Sequence, residues 1–482
     1  MNFNAPLLKA MEKYRKAKIY PLHTPGHKGG RGAEAYLQKL LGQEALSLDV
    51  SLMSELDDIH NPQTCLKAAQ QLAAQLYGAD ASFFAPNGTT GAIHAMLLGA
   101  LQPGAKVLIP RNAHRSVVGA LVLGGFVPVY VVPEFSARWT LSLQITAEAV
   151  EKTLAAEPSV KAVVLTSPNY YGLAADVAAI AQITHAHQAV LLVDEAHGAH
   201  LGFSEHLPPS ALSCGADAVA QSTHKILGAL TQCSMLHVKG ERLDLSKMQA
   251  AMSLLTTTSP NYLLLASLDA ARSQMAAAGK TLVEKALSAA EKLRNALASI
   301  PGVRLVDKSI IGQGGVAALD FTKVTAQVTG LGVTGPEAAA ALRQAGVAVE
   351  LVDRDKVLFL ITYADANAEF DHIITIITKT LRQIAGTKAL HQVNFALPSL
   401  PRQRLTPRQA FFARRQVIPF AQAAGQISAE QISFYPPGIP VLVPGEEITQ
   451  EIIEYCQQML ALGIAVSGPY DGTLQNIEVL KE

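Results

Sequence analysis

The feature that most constrains the fold of this chain is an alternation of short β-type runs with alanine-rich helical stretches between Ala81 and Val238. The β-type runs read ASFFA, KVLIP, VPVYVV, VKAVVLT, AVLLVDEAH and DAVAQS, and segments such as GAIHAMLLGAL and DVAAIAQITHAHQ lie between them. Strands that alternate with helices indicate a mainly parallel sheet covered on both faces. The sequence therefore predicts an α/β fold, and ligands of such sheets bind outside the carboxyl ends of the strands.

The rest of the chain predicts further parts. A long helical stretch follows Pro260 and leads out of the large domain, and a smaller α/β pattern then runs to about Ile384. The Pro- and Arg-rich segment LPSLPRQRLTPRQA reads as a connector. A final module begins near Pro407 and contains SFYPPGIPVLVPGEEIT and a predicted helix from Ile452 to Leu462.

Composition excludes several classes of partner. The 482 residues are 49% hydrophobic, which is enough to bury the cores of roughly two or three domains. Lys+Arg and Asp+Glu both total 39, so no net charge favours nucleic acid or a membrane surface, and a small-molecule ligand is expected. The four cysteines are scattered, with no pattern of a disulfide framework or zinc site. No apolar leader or membrane-spanning stretch is evident, so we expect a cytoplasmic protein.

The stretch PNGTTGAIHAM follows the predicted strand SFFA and places Gly88, Thr89 and Thr90 at the start of a helix. Free backbone N–H groups, the positive end of the helix dipole and two hydroxyls form a suitable cradle for a phosphate. Read alone, the same residues fit an ordinary helix cap with a glycine turn. The phosphate interpretation therefore needs support from other motifs.

Asp194 ends the strongly apolar strand VLLVD and is followed by Glu195, Ala196 and His197. A carboxylate at the end of a buried strand is costly unless it meets a cation, a metal or a protonated heterocycle. A metal could recruit His197 and His200, although the spacing of these histidines specifies no particular metal. The motif predicts a positively charged partner for Asp194.

Two more motifs follow predicted strands. His114 comes after KVLIP in PRNAHRSV, where a capping or solvent-facing histidine is the simplest reading. Lys225 lies in AQSTHKILGAL, directly after Ser222 and His224 and among apolar residues. A lysine in a partly desolvated pocket has a lowered pKa and can attack an aldehyde as an amine nucleophile.

Together these motifs predict one ligand. They offer an amine for an aldehyde (Lys225), hydroxyls for a phosphate (Thr89, Thr90 and Ser222) and a carboxylate for a protonated ring nitrogen (Asp194). Pyridoxal 5'-phosphate (PLP) has all three groups, and a carboxylate on its ring nitrogen preserves its capacity to withdraw electrons. On this reading His114 stacks on one face of the ring and Ala196 lies under the other.

Several further stretches resemble the Orn/Lys/Arg decarboxylase family in its short bacterial form, without the amino-terminal wing domain. They include PLHTPGHKGG, SELDDIHNP, TSPNYYG, VDEAHGAHLGF, STHKILGALTQCSMLHV, TTTSPNYLLLASLDAAR and YPPGIPVLVPGE. The resemblance covers almost the whole chain, and the combination of motifs is more selective than any one of them. It implies a PLP-dependent transferase-like fold (fold type I) with a mainly parallel seven-stranded sheet, a smaller α/β domain and a C-terminal α+β module.

The resemblance also implies roles for residues. Lys225 is expected to be the Schiff-base lysine, and His114 is expected to stack on the ring and favour decarboxylation. The expected cofactor contacts are Gly88, Thr89, Thr90, His114, Asp194, Ala196, His197, Ser222, His224, Lys225, Thr257 and Thr258. Thr257 and Thr258 are expected to reach the active site of a partner subunit, in a homodimer or a dimer of dimers with shared active sites. Lys225 and His224 both stay open as the proton donor to the substrate α-carbon.

A basic substrate needs a carboxylate at the far end of the pocket, because a buried cation without a partner is unfavourable. The candidates are Glu446 in VPGEE and three residues of SELDDIH, namely Glu55, Asp57 and Asp58. The family resemblance favours Glu446. Near this stretch, Thr64 stands where the family's usual HxPxG pattern has its glycine, which puts the loop geometry and substrate choice in question.

The expected reaction is PLP-dependent decarboxylation of a basic amino acid in polyamine biosynthesis, with arginine to agmatine favoured over lysine to cadaverine or ornithine to putrescine. The expected domains are an N-terminal segment at the dimer and active-site entrance (1–60), a PLP-binding large domain (61–275), a small α/β domain (276–390) and a C-terminal decarboxylase domain (391–482). Two alternatives stay open: another fold-type-I PLP enzyme, such as an aminotransferase or lyase, and a non-catalytic regulatory homologue.

Overall fold

The computed structural model describes residues 4–386, 398–435, 439–461 and 463–481. The helices of these residues, numbered in chain order, are α1 Pro6–Lys16, α2 Ala35–Leu48, α3 Cys65–Tyr77, α4 Gly88–Ala100, α5 Arg115–Gly124, α6 Ala147–Ala156, α7 Val177–Ala186, α8 Thr223–Ile226, α9 Leu245–Leu255, α10 Tyr262–Ala298, α11 Gly335–Gln344, α12 Ala368–Gln383, α13 Pro407–Phe412 and α14 Gln450–Ala461.

The strands, numbered in the same way, are β1 Ala81–Ala85, β2 Lys106–Pro110, β3 Val127–Val131, β4 Phe135–Ser136, β5 Leu141–Ser142, β6 Val160–Thr166, β7 Leu173–Ala175, β8 Val190–Asp194, β9 Ala218–Gln221, β10 Ser234–Val238, β11 Arg304–Leu305, β12 Val316–Leu319, β13 Lys323–Gln327, β14 Leu351–Val352, β15 Lys356–Leu360, β16 Arg415–Pro419, β17 Ile432–Tyr435, β18 Ile439–Leu442, β19 Ala465–Ser467 and β20 Asn476–Leu480. Of the YPPG stretch, residues 436–438 lie outside the described residues.

The largest sheet has seven strands in the order β1-β10-β9-β8-β6-β2-β3. Strand β2 pairs in parallel with β3 and β6, and β8 pairs in parallel with β9. Strand β10 is antiparallel to both β1 and β9. The prediction of a mainly parallel seven-stranded sheet is confirmed, and each β-type run noted in the sequence forms one of its strands.

The chain divides into two compact units, each described here by itself. The first consists of residues 1–100, 192–203 and 209–281, and the second of residues 101–191, 204–208 and 282–482. The domain boundaries expected from the sequence stay predictions. Among the described residues, no helix is both long enough and apolar enough to cross a membrane.

In the first unit, α1, α3 and the start of α10 enclose an apolar core that includes Leu7, Leu66 and Tyr262. Asp269 of α10 fixes the start of α1, because its carboxylate accepts from the backbone N–H of Leu7 at 2.9 Å. Helices α4 and α9 pack closely, since a Cβ at Gly99 would come within 3.0 Å of the Met248 backbone. Any larger residue at position 99 would push the two helices apart.

The second unit contains two smaller assemblies besides its part of the large sheet. Strands β11, β13, β15 and β14 form a four-stranded sheet, and its core includes residues of α11 and α12. Strands β16 and β20 form a pair, and β18, β17 and β19 form a three-stranded sheet whose core includes residues of α14. These are the predicted smaller α/β domain and C-terminal α+β module.

Candidate active site

A cluster of three buried hydroxyls lies at the start of α4 in the first unit. Thr89 Oγ1 is hydrogen-bonded to Ser222 Oγ and lies 2.7 Å from Ser234 Oγ. Gly88, which precedes them, has a φ of 74°, a conformation that favours glycine. Thr90 is exposed. The arrangement gathers hydroxyls and a helix N-terminus at one place, as phosphate binding requires.

The loop that carries Gly88 is held from two sides. The Asn87 side-chain amide donates to the Leu255 carbonyl, and the Gln232 side-chain amide donates to the Pro86 carbonyl. Ser234 Oγ in turn donates to the Gln221 carbonyl at 2.6 Å. The cluster therefore joins the residue after β9 and the start of β10 to the start of α4.

Lys225 lies in the short helix α8, which begins directly after Ser222 and β9. Its Nζ lies 3.0 Å from Nε2 of His197. His197 is buried, and Lys225 is half-buried. Asp194, two residues before Ala196, is 3% exposed, and its carboxylate accepts from the Ala196 N–H at 3.1 Å. The structure thus brings Lys225 and His197 together in the unit that also carries Asp194.

The position of the His224 proton follows from its partner. Nδ1 of His224 lies 2.8 Å from the Cys233 carbonyl oxygen. A carbonyl oxygen only accepts, so Nδ1 carries the proton and Nε2 of the neutral ring has none. Neutral His224 therefore has no N–H left at Nε2 to donate to a phosphate or a carbanion, although its Nε2 can accept.

Behind Asp194 lies a buried chain of polar side chains that the sequence analysis did not find. Glu195 accepts from the Ala211 N–H at 2.7 Å and from the Gln221 side-chain amide at 2.6 Å. The Gln221 side-chain oxygen accepts from Nε2 of His237 at 3.2 Å, and Nδ1 of His237 lies 2.7 Å from Ser82 Oγ. These contacts join the ends of β8 and β9 to β10 and β1.

Burial determines the protonation states of Glu195 and His237. It raises the pKa of the Glu195 carboxyl to about 8, against the opposing effect of the two donors. It lowers the pKa of His237 to about 3. His237 is therefore neutral, with its proton on Nε2 and its Nδ1 accepting from Ser82.

His114 belongs to the second unit, where it is the N-cap of α5. Its Nδ1 accepts from the Ser116 backbone N–H at 3.2 Å, so the neutral ring carries its proton on Nε2. The capping role considered from the sequence is therefore present. Ser116 therefore fixes the orientation of the imidazole through its contact with Nδ1.

The loop with Thr257 and Thr258 is exposed and follows α9 in the first unit. Nε2 of His60 lies 3.2 Å from the Thr257 carbonyl oxygen and its Nδ1 lies 2.7 Å from Ser253 Oγ. His60 therefore donates to the loop from one nitrogen and accepts from Ser253 with the other. This histidine of SELDDIH fixes the loop that the resemblance assigns to a partner's active site.

The carboxylates proposed for the substrate's far end differ in what they already bind. Asp57 is 8% exposed and accepts from the backbone N–H groups of Gln63 at 2.7 Å and Thr64 at 2.6 Å, with weaker contacts to Asp58 and Lys67. These donors lower the pKa of Asp57 although burial opposes them. Asp57 thus organises the loop before α3.

Glu55 and Asp58 lie on the same loop with fewer bonds. The Glu55 side chain is exposed and accepts from Ser54 Oγ at 3.0 Å, and Asp58 accepts from the His60 N–H at 2.9 Å. Thr64 is the N-cap residue of α3 and has a negative φ of −126°. Its backbone N–H is held by the Asp57 carboxylate, so the loop at this departure from the HxPxG pattern is bonded to Asp57.

Glu446, in the second unit, is 0% exposed and its two carboxylate oxygens accept from the guanidinium of Arg111 at 2.6 and 2.8 Å. The Val443 N–H donates to it as well, at 2.8 Å. In this chain its oxygens are occupied by neighbours of the same unit.

Glu350 is a carboxylate that the sequence analysis missed. It is exposed, and it accepts from the Tyr170 hydroxyl at 2.8 Å. Tyr170 lies in the loop that follows the carboxyl end of β6, which is the kind of place where ligands of parallel sheets bind. No local sequence signal joins the two residues, since they lie 180 positions apart.

The residues of the first unit fit PLP in their chemistry. Buried hydroxyls at a helix N-terminus suit its phosphate, the buried carboxylate of Asp194 suits its ring nitrogen, and the Lys225 amine suits its aldehyde. A metal site finds no such support: within the described ranges, no group of three or more His, Cys, Asp and Glu side chains is arranged to hold a metal ion.

Comparison with known proteins agrees with this chemistry. The family models for the major and C-terminal domains of Orn/Lys/Arg decarboxylase match residues 5–369 and 389–468. The arginine decarboxylase of Bacillus anthracis is 40% identical over 483 residues, which cover 100% of this chain and 98% of the relative. That of Bacillus subtilis is 40% identical over 479 residues, covering 99% and 98%.

A solved structure shows the same fold. The lysine decarboxylase LdcF of Francisella novicida matches with a TM-score of 0.83 at 22% identity, covering 100% of this chain and 82% of that one. The major-domain model alone spans more than half of the chain. The chain therefore belongs to the Orn/Lys/Arg decarboxylase family, as its motifs predicted, and is an amino-acid decarboxylase.

Proposed function

We propose that this protein binds PLP and decarboxylates arginine to agmatine, a reaction of polyamine biosynthesis. The observation that carries the proposal is the identity of 40% to a Bacillus anthracis arginine decarboxylase along 100% of the chain. Lysine and ornithine are the competing substrates, because the family model names all three amino acids.

In this proposal the first unit holds the cofactor. Lys225 carries it covalently, Asp194 keeps its ring nitrogen protonated, and Thr89 and Ser222 bind its phosphate with the helix N-terminus at Gly88. Thr90, Ala196 and His197 complete the contacts, and His224, whose Nδ1 donates to the Cys233 carbonyl, lies beside Lys225. Once bound, PLP withdraws the electron pair that remains on the substrate α-carbon when the carboxylate leaves as CO2.

The chain's own residues orient the substrate and move the proton. His114 stacks on the cofactor ring, a role assigned by the family resemblance, and the contact of its Nδ1 with the Ser116 N–H orients the imidazole. Lys225 is the better proton donor to the α-carbon, because Nδ1 of His224 already donates to Cys233. His224 can accept at Nε2, which suits a relay to Lys225 more than direct donation.

The carboxylate that binds the substrate's distal cation needs oxygens that can still accept hydrogen bonds. Exposed carboxylates are therefore better candidates than those that already accept several hydrogen bonds. Asp57 and Glu446 accept several hydrogen bonds from their own units. Glu350, Glu55 and Asp58 have fewer, and Glu350 is oriented by Tyr170. We therefore place Glu350 first, ahead of Asp58 and Glu55.

We also propose a homodimer or dimer of dimers in which Thr257 and Thr258 serve the partner's site. Both threonines are exposed in the single chain. Several large apolar side chains are exposed as well, among them Tyr20 (70%), Leu22 (87%) and Leu40 (64%). Exposed apolar groups of this size are typical of surfaces that another chain covers. The four free cysteines fit a reducing cytoplasm.

The test uses the full-length protein reconstituted with PLP. Wild type should show a visible absorbance band that Lys225→Ala abolishes, and it should release CO2 and agmatine from arginine faster than it acts on lysine or ornithine. A wild type without the band refutes the cofactor, and a band without CO2 from any of the three amino acids refutes the decarboxylation. Glu350→Gln should raise KM for the preferred amino acid more than Glu55→Gln or Asp58→Asn.

A further inference from the structure

The His114 loop is tied to a distant part of the second unit. The loop begins with Arg111, whose backbone N–H donates to the Val131 carbonyl at 2.8 Å, and it ends where His114 caps α5. The Asn112 side chain donates to Ser142 Oγ at 3.0 Å. The backbone at His114 is therefore set by how Arg111 and α5 are held.

Arg111 is held by Glu446 in a buried bidentate ion pair. The two N–H···O distances are 2.6 and 2.8 Å, and the side chains of Arg111 and Glu446 are 11% and 0% exposed. The guanidinium also donates to the Val441 carbonyl at 2.9 Å and lies 4.8 Å from the centre of the Tyr130 ring. Paired, planar contacts of this kind fix orientation as well as distance.

Each member of the pair stabilises the charged form of the other. Glu446 raises the pKa of Arg111 although burial opposes it. Burial raises the pKa of Glu446, and Arg111 opposes that shift. The bidentate geometry, with a further N–H from Val443, favours the ionised pair because each carboxylate oxygen has a donor.

The same C-terminal module, residues 398–481, also contacts α5 directly. Arg115, at the first position of α5, donates to Ser467 Oγ at 3.2 Å. Arg408 donates to the carbonyls of Val122 and Leu123 in the last turn of α5, at 3.1 and 2.6 Å. A cation at these carbonyls stabilises a helix C-terminus. The module therefore contacts both ends of α5, the helix whose N-terminus His114 caps.

We propose that the C-terminal module positions His114 for the reaction through the Arg111–Glu446 pair, and that Glu446 is a positioning residue and does not bind the substrate's distal cation. The inference rests on the proposed function, in which His114 stacks on the cofactor. In this proposal the C-terminal module contributes to catalysis by fixing the position of His114, a role that no sequence motif of the module indicates.

The physics of buried ion pairs supplies a sharp test. Removing one partner leaves an uncompensated buried charge, whereas replacing both by apolar side chains of similar volume is often tolerated. The test therefore compares three variants: Arg111→Met, Glu446→Met and the double variant. A positioning pair predicts that the double variant is closer to wild type than either single variant, and a substrate-binding Glu446 predicts the reverse.

The first readout needs no cofactor. In the apo-protein, amide hydrogen exchange in the first turn of α5 should be faster by about tenfold or more in each single variant, because the loop that caps the helix opens more often. It should return toward the wild-type rate in the double variant. Unchanged exchange in both single variants overturns the proposal, whatever the protein's substrate.

The second readout is the kinetics of the PLP-loaded enzyme. Each single variant should lower kcat by about tenfold with KM for arginine within about twofold, and the preference among arginine, lysine and ornithine should not change. The double variant should recover kcat to within about threefold of wild type. A double variant that stays inactive, or a Glu446→Met that raises KM for arginine selectively, overturns the proposal.

A matched control separates this pair from ion pairs of the C-terminal module in general. Arg415 and Glu478 form a more exposed pair at 2.8 Å in the same module. Arg415→Met should leave α5 exchange and kcat unchanged, and a loss as large as that of Arg111→Met overturns the special role of Arg111. A wild type that releases no CO2 refutes the proposed function. The exchange experiment still tests whether the Arg111–Glu446 pair stabilises the start of α5.

Discussion

Nζ of Lys225 lies 3.0 Å from Nε2 of His197, within hydrogen-bonding distance. The two residues come from the turn after β8 and from the short helix after β9, which are neighbouring parallel strands. The lysine expected to carry the cofactor is thus oriented by a residue of the same motif that supplies Asp194. The contact makes His197 a determinant of where the amine points.

His197→Phe should therefore impair the reaction without abolishing it. Losing one hydrogen bond of about 0.5–1.5 kcal/mol corresponds to a turnover about two- to tenfold lower, with the visible absorbance band still present. Steady-state kinetics and the spectrum of the reconstituted protein measure both. His206→Phe, at an exposed histidine of the second unit, is the control. Wild-type turnover in His197→Phe would contradict a role for this contact.

The hydroxyl cluster predicts a difference between two adjacent threonines. Thr89→Val and Thr90→Val should both weaken PLP binding, because each removes a hydroxyl near the helix N-terminus, by about tenfold or more for a bond to a charged group. Only Thr89→Val should also lower the melting temperature of the apo-protein, since Thr89 contacts two buried serines and Thr90 is exposed. Equal apo melting temperatures would show that the cluster does not stabilise the fold.

The sequence predicted the large sheet and the strand ends that carry Thr89, Asp194 and Ser222, because these features are local. Apolar runs set the strands, and a polar residue directly after a run must lie at the carboxyl end of a strand. The position of Lys225 just after β9 was predicted for the same reason, and its role stays a prediction. What was predicted correctly depends on neighbours within about ten residues along the chain.

The rest depends on contacts between distant residues. Whether Glu446 is available to a substrate depends on Arg111, and the position of the His224 proton depends on the Cys233 carbonyl. The link from Glu195 through Gln221 to His237 crosses several strands. A motif shows which residue types are present. The hydrogen-bond partners of each side chain determine whether its polar atoms can still bind a ligand.

Glu195 predicts how stability changes with pH. Its pKa is raised from 4.5 to about 8 in the folded protein, so the folded state holds a proton that the unfolded state has lost between these values. Stability should fall as pH rises through this range, by up to about 1.4 kcal/mol per pH unit. Glu195→Gln, which mimics the protonated form, should flatten the fall in urea unfolding measured from about pH 5 to about pH 9.

The control for that series is Glu205→Gln, an exposed carboxylate in the loop after the β8 turn. It should leave the pH dependence of the wild type intact. If Glu195→Gln shows the same slope as wild type, the carboxyl of Glu195 is ionised throughout the range and its donors outweigh burial.

Asp57 distinguishes a loop-forming carboxylate from a substrate-binding one. It has a φ of 75°, which asparagine tolerates, so Asp57→Asn keeps the backbone and replaces one of the two carboxylate oxygens that accept from the N–H groups of Gln63 and Thr64 by an amide NH2. Because the folded-state pKa of Asp57 is lowered, its stabilising effect is present above the unfolded value of 3.8 and is lost as pH falls through the folded value.

At neutral pH, Asp57→Asn should therefore lower the free energy of unfolding by about 1–3 kcal/mol, and the deficit should shrink in acid as the wild type itself becomes protonated. KM for arginine should change no more than in Asp58→Asn, whose carboxylate accepts from the His60 N–H. Urea unfolding at several pH values measures the first effect and steady-state kinetics the second. A stable Asp57→Asn enzyme with a large, arginine-selective rise in KM would instead assign Asp57 to the substrate, because an amide cannot neutralise a distal cation.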